Sequence, residues 1–146
     1  MSTELSLSLS QDRPGELSKV VEAIARGGVN LEGIAEQDGI VHLLVAEAAP
    51  ARAALEGAGL RVGLEREQLV AEVEDRPGAL AEVTAKLAAA GINLHHVYVA
   101  TGMRIVLGVE DLAAARQALG MAEPAPNPTQ SLPARQPTQT LPSRQK

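Results

Sequence analysis

Cysteine, phenylalanine and tryptophan are all missing from this 146-residue chain. Without cysteine there are no disulfides, thiolate metal sites, iron–sulfur clusters or cysteine nucleophiles. Without Phe and Trp, Tyr98 is the only aromatic side chain, so the core must be built from Leu, Val, Ile and Ala. Those residues are plentiful: 45% of the chain is hydrophobic, enough for one ordinary domain or two small ones. Positive charge is scarce, with 13 Lys and Arg against 18 Asp and Glu for a net charge of -5. A chain that is acidic and almost free of aromatics has few groups to neutralise phosphates or stack on bases, so no nucleic-acid partner is expected. No apolar run approaches the roughly 18 residues a membrane helix requires, and no membrane partner is expected. The opening segment, MSTELSLSLS, has neither a basic n-region nor an unbroken apolar stretch, and the expected location is cytoplasmic.

What the sequence does contain is a repeat. Asp12-Arg13-Pro14-Gly15 returns as Asp75-Arg76-Pro77-Gly78, and residues 12–31 overlie 75–94 without a gap, ten of the twenty positions being identical. Each copy opens with an alternating strand pattern, Leu5, Leu7 and Leu9 in the first and Leu69, Ala71 and Val73 in the second. Next comes the Asp-Arg-Pro-Gly turn, and then apolar residues at helical spacing: Leu17, Val20, Val21 and Ile24, or Leu80, Val83 and Leu87. Gly27-Gly28 and Gly91 stop these helices. A second strand is expected from Asn30 or Asn93, a third over 40–46 or 103–109, and a second helix over about 50–58 or 111–119. A fourth strand is expected at Leu60–Leu64 in the first copy only. The order βαββαβ gives an α+β fold with two modules, residues 1–66 and 67–120. Copy one has an extra residue before its Asp, which implies a bulge or a longer loop there. Residues 121–146 carry six of the nine prolines and are expected to be a Pro-rich disordered tail.

A βαββαβ module with an Asp-Arg-Pro-Gly first loop and a Gly-Val-Asn-Leu or Gly-Ile-Asn-Leu start to its second strand resembles the ACT domain family. The resemblance covers both copies, about residues 3–119, and the layout is similar to small stand-alone tandem-ACT proteins. It implies two ferredoxin-like modules, antiparallel sheets with helices on one face, paired into one continuous sheet through their second strands. It also implies a regulatory protein that senses a free amino acid, or a related small effector, at the seam. Ligand contacts then fall on Ser10, Asp12, Arg13, Pro14, Gly15, Glu16, Leu17 and Asn30, and on Asp75, Arg76, Pro77, Gly78, Ala79, Leu80 and Asn93. In serine-sensing members a His, an Asn and the strand-two Asn contact the effector. By position these fall on Ser10, Asp12 and Asn30 in copy one and on Val73, Asp75 and Asn93 in copy two. The His is lost twice, which disfavours serine itself.

The residues also support plainer readings. Asp12 and Asp75 suit a helix cap as well as a ligand ammonium. Asn30 and Asn93 suit a strand start. Tyr98 is expected to share a face with Leu94 and His96 and to pack across the seam. His95 and His96 are neighbours on a strand and point to opposite faces, so no metal site is expected. No nucleophile–base constellation stands out, so neither catalysis nor a cofactor is expected. A homodimer is expected. The alternative to amino-acid sensing is a dimerisation or interaction module that uses the ACT fold and the Pro-rich tail without a ligand.

Overall fold

The computed structural model describes residues 2–122. Its order is β1 (Thr3–Ser8), α1 (Glu16–Arg26), β2 (Gly33–Gln37), β3 (Ile40–Val45), α2 (Ala48–Gly57), β4 (Leu64–Glu67), β5 (Leu69–Glu72), α3 (Ala79–Ala89), β6 (His96–Ala100), β7 (Arg104–Gly108) and α4 (Leu112–Ala118). The result is an α+β fold in which one antiparallel sheet of seven strands, ordered β4-β1-β3-β2-β6-β7-β5, carries four helices.

Alternation decides which face each strand residue occupies. Leu5 and Leu7 of β1 and Val41, Leu43 and Val45 of β3 meet Val20, Ala23 and Ile24 of α1 and Ala51 and Leu55 of α2. Leu69, Ala71, Ile105 and Leu107 form the corresponding cluster with Leu87 of α3 and Ala115 of α4. Each cluster contains a buried Leu as its helical anchor, Leu55 or Leu87, at 0% exposure. The second face of β3, β6 and β7 is apolar near its middle, where Leu44, Ala100 and Val106 pack with Val70 and Tyr98.

Single residue Gln68 joins β4 to β5, the two end strands of the sheet. In a flat sheet six strand steps of ~4.8 Å would separate them by roughly 29 Å. Cα atoms two residues apart span at most about 7 Å. The sheet therefore curls until its ends meet, the helices stay outside, and the helix-free face becomes an interior. The curl shows at the junction of β2 and β6, where the ladder is confined to one end. There Gly33 faces Ala100 and the Thr101 amide donates to the Glu32 carbonyl at 2.7 Å.

Several expected boundaries move. The second strands begin at Gly33 and His96, not at Asn30 and Asn93, because pairing starts only where Glu32 N reaches Leu44 O and His95 N reaches Gly108 O. The fourth strand is Leu64–Glu67, not Leu60–Leu64. Leu60 and Val62 pack on the first core, and pairing with β1 starts once Gly63 N reaches Ser6 O. The extra residue of copy one lengthens the loop over 9–15 and leaves the β1–β3 ladder unbroken from Thr3 to Ser8. Tyr98 and His96 share a face, but Leu94 packs with the outer cluster, since it precedes the strand. The second half has β5, β6 and β7 and no fourth strand among the described residues. The expected tail lies, from residue 123 onward, outside the described residues.

Candidate functional site

The two Asp-Arg-Pro-Gly loops have nearly the same backbone. Gly15 and Gly78 are the N-cap residues of α1 and α3, with φ of 93° and 90°. This left-handed conformation is the one glycine adopts without steric cost. Neither cap receives a side-chain hydrogen bond, so the expectation that Asp12 or Asp75 caps its helix is not met. The left-handed glycine turns the chain into the helix directly, and the carboxylate stays outside the first turn. Asp12, Asp75, Asn30 and Asn93 are all exposed, and their side chains form no hydrogen bond or ion pair within residues 2–122.

The basic residues of the loops are engaged. Arg13 Nε lies 3.0 Å and Lys19 Nζ 3.1 Å from Glu16 Oε1. Hydrogen bonds from Arg13 and then Lys19 hold the Glu16 carboxyl below its ordinary range. Arg76 binds Glu74 through Nε and Glu82 through both terminal nitrogens, at 3.0 and 2.9 Å. These bonds, with Glu82 foremost, raise the guanidinium's pKa, and Arg76 lowers that of Glu82. Of the remaining expected contacts, Ser10, Pro14, Leu17, Pro77 and Leu80 are exposed, and Ala79 is buried at the start of α3.

Strand direction places these loops. β1 and β2 run parallel, so the loop over 9–15 emerges at the Gln37 end of the sheet, where Leu9 N bonds Gly39 O. Antiparallel β6 starts at that same end, with Asn93 just before it. The loop over 73–78 emerges at the opposite end, the one at which β2 starts, with Val73 N bonded to Met103 O. Each loop thus shares a sheet end with the other half's asparagine. The two do not line a common cavity. The cavity of about 380 Å³ that Asn93 lines with Gly91, His95, Glu110 and Asp111 takes no residue from the first loop. At the other end, a cavity of about 320 Å³ lies between Leu31–Ile34 and Val99–Thr101 and excludes Asn30.

The densest polar arrangement is one that the sequence reading missed. It lies inside the curled sheet, around Glu4, which is 2% exposed. Tyr98 donates its hydroxyl to Glu4 Oε2 at 2.7 Å, and His96 Nε2 is 3.1 Å from the same oxygen. His42 Nδ1 and Gln68 Nε2 each lie 3.1 Å from Oε1, and Ser6 Oγ lies 3.0 Å from His42 Nδ1. The His42 and His96 rings stack with centroids 5.0 Å apart. Burial alone would raise the Glu4 pKa, but the Tyr98 hydrogen bond and the two imidazoles outweigh it and the net direction is down. Tyr98 is pushed up, by burial first and then by its bond to Glu4. Glycine makes room for both rings: a Cβ on Gly108 would overlap the His96 ring, and one on Gly33 would come within 3.1 Å of Tyr98. His95 points the other way, toward Glu110 at 3.4 Å, as alternation requires.

Comparison with known proteins adds a family match over part of the chain. No curated protein sequence matches the chain. A crystal structure of a Bacteroides thetaiotaomicron protein is similar with a TM-score of 0.63 and 24% identity, over 82% of this chain and 85% of that one. The ligand-free regulatory subunit of aspartate kinase from Thermus thermophilus is similar with a TM-score of 0.62 and 22% identity, over 84% and 92%. The corresponding Thermus flavus subunit gives 0.58 and 22%, over 82% and 90%. At these identities the likeness concerns the fold. The sequence profile of the ACT domain matches residues 68–120, beginning at the link residue Gln68 and ending just past α4. The match is to that stretch alone, under half of the chain.

Proposed function

We propose that the chain is a non-catalytic regulatory protein made of two ACT-type modules, residues 1–66 and 67–120, that senses a free amino acid. The ACT match over 68–120 supports a regulatory role in general, and residues 12–31 repeat its loop and helix. Two of the similar structures are described as regulatory subunits of aspartate kinase, which fits the same role. The carrying observation is the uncapped, left-handed Gly15 and Gly78 beside carboxylates with no partner among the described residues. First-turn amides left open by such a cap favour an α-carboxylate, and Asp12 or Asp75 offers a counter-charge to an α-ammonium. Asn93 and Asn30 stand at the same sheet ends but line no cavity with these loops, so each loop is the proposed site in its own right.

The two sites differ. Copy one supplies Ser10, Asp12 and Glu16 where copy two supplies Val73, Asp75 and Ala79, so the loop over 10–17 is the tighter site. A zwitterion must have both charges satisfied, since a buried unpaired charge costs several kcal/mol. Thermal unfolding with each proteinogenic amino acid tests the reading. A ligand present at 100 times its Kd adds about 2.7 kcal/mol. Calorimetry should then show Asp12→Ala weakening binding more than Asp75→Ala does. Equal losses would remove the asymmetry. No response to any amino acid would favour a ligand-free interaction module. Homodimerisation belongs to the same proposal: Ile34, Val97 and Val99 on the seam strands are exposed, Val99 at 73%. Val99→Glu should shift a dimer toward monomer in light scattering.

A further inference from the structure

We propose that Glu4, His42 and His96 form a binding site for a divalent first-row transition-metal cation, with Zn²⁺ as the reference case, which staples the two halves of the curled sheet. Carboxylate and imidazole atoms of these residues lie within 4.8 Å of one another, and no other such group occurs among the described residues. His42 Nδ1 stands 3.1 Å from Glu4 Oε1 and His96 Nε2 3.1 Å from Glu4 Oε2. Ligands at ~2.0–2.2 Å from a tetrahedral Zn²⁺ stand roughly 3.4 Å apart, so modest side-chain adjustment meets the requirement. Two imidazole nitrogens and one carboxylate oxygen suit this class of cation. Glu4 is a carboxylate at 2% exposure, and a bound cation would neutralise its charge.

A second observation points the same way. Gln68 is 3% exposed and its Oε1 is buried without a partner among the described residues, while its Nε2 touches Glu4 at 3.1 Å and His96 at 3.4 Å. Half a turn of this amide exchanges oxygen for nitrogen at nearly constant shape and offers the site a neutral fourth donor. The outer groups are in place as well. Tyr98 orients the carboxylate through Oε2, and such outer-shell partners fix ligand geometry. The side chains of His42 and His96 are 23% and 27% exposed above a Glu4 that is 2% exposed, which gives a cation a route inward. Its ligands come from β1 and β3 on one side and β6 on the other.

The test uses the full chain after treatment with a chelator. Titration with Co²⁺ should produce the visible d–d bands of a four-coordinate ion. X-ray absorption of the Zn²⁺-loaded protein should count two imidazoles. Zn²⁺ should raise the Tm, and the chelator should reverse the rise. His42→Gln and His96→Gln should each weaken Zn²⁺ binding at least about tenfold, whereas His95→Gln, the one remaining histidine, should leave it unchanged. Absent d–d bands, a count below two imidazoles, or loss of binding in His95→Gln would each overturn the proposal. If a His96 variant does not fold, the imidazole count of the unaltered protein decides. None of these readouts depends on amino-acid binding.

Discussion

Glu4 is the residue whose loss should be felt most. Its carboxylate receives Tyr98, His42, His96 and Gln68, so Glu4→Ala leaves four polar groups facing a hole and should cost about 3 kcal/mol or more in denaturant unfolding. Its folded pKa lies below the ordinary 4.5. A depressed carboxylate contributes stability that is complete above its unfolded pKa and is lost as pH falls through the folded value. Stability should therefore decline from about pH 5 downward, with His42, His96 and Tyr98 as the facing titratable groups. Glu4→Gln should flatten that decline, and an unchanged acid limb would place its origin elsewhere. Gly108→Ala should expel the His96 ring at a cost of about 1–3 kcal/mol, although the backbone there tolerates any residue. These residues left traces in the sequence: a lone Glu among the Leu and Ser of Thr3–Ser8, and a Gly after the apolar run Ile105-Val106-Leu107. Their meeting was not legible, because Glu4 and His96 stand 92 positions apart and no local pattern encodes such a contact.

At the scale of elements, local chemistry was readable wherever it acted alone. The two loop glycines, the alternation of Leu5 and Leu7 against Leu69 and Ala71, and the helix stops at Gly28 and Gly91 all follow from propensity and period. Boundaries set by a partner strand were not readable. Residues 30–32 look extended in sequence, yet β2 begins at Gly33, where a neighbour supplies the ladder. The candidate amino-acid site shares this division. The motif marks the loops over 12–15 and 75–78, but which sheet end each one occupies depends on strand direction. Gly15→Ala should destabilise α1 by about 1 kcal/mol, because the substitution meets open space and yet forces a positive φ on alanine. Helical amide exchange in α1 measures this directly.

For the whole molecule, the two outer cores are separate in space, but the strands between them are continuous. Leu55→Ala and Leu87→Ala each empty a fully buried site and should cost about 2–5 kcal/mol. Because Gln68 joins the end strands and Glu4 reaches His96 across the interior, either change should lower one shared unfolding transition. Two transitions, each sensitive to one substitution, would show halves that unfold independently. The sheet order carries a mechanical consequence. A connection of one residue has almost no play, since a residue extends by no more than about 3.6 Å. A displacement of β4 against β1 by more than a fraction of that length must drag β5 along, and β5 is hydrogen-bonded to β7 from Leu69 to Glu72. A tug at one rim of the sheet therefore reaches the far rim undamped, through the covalent backbone and without any relay of side chains.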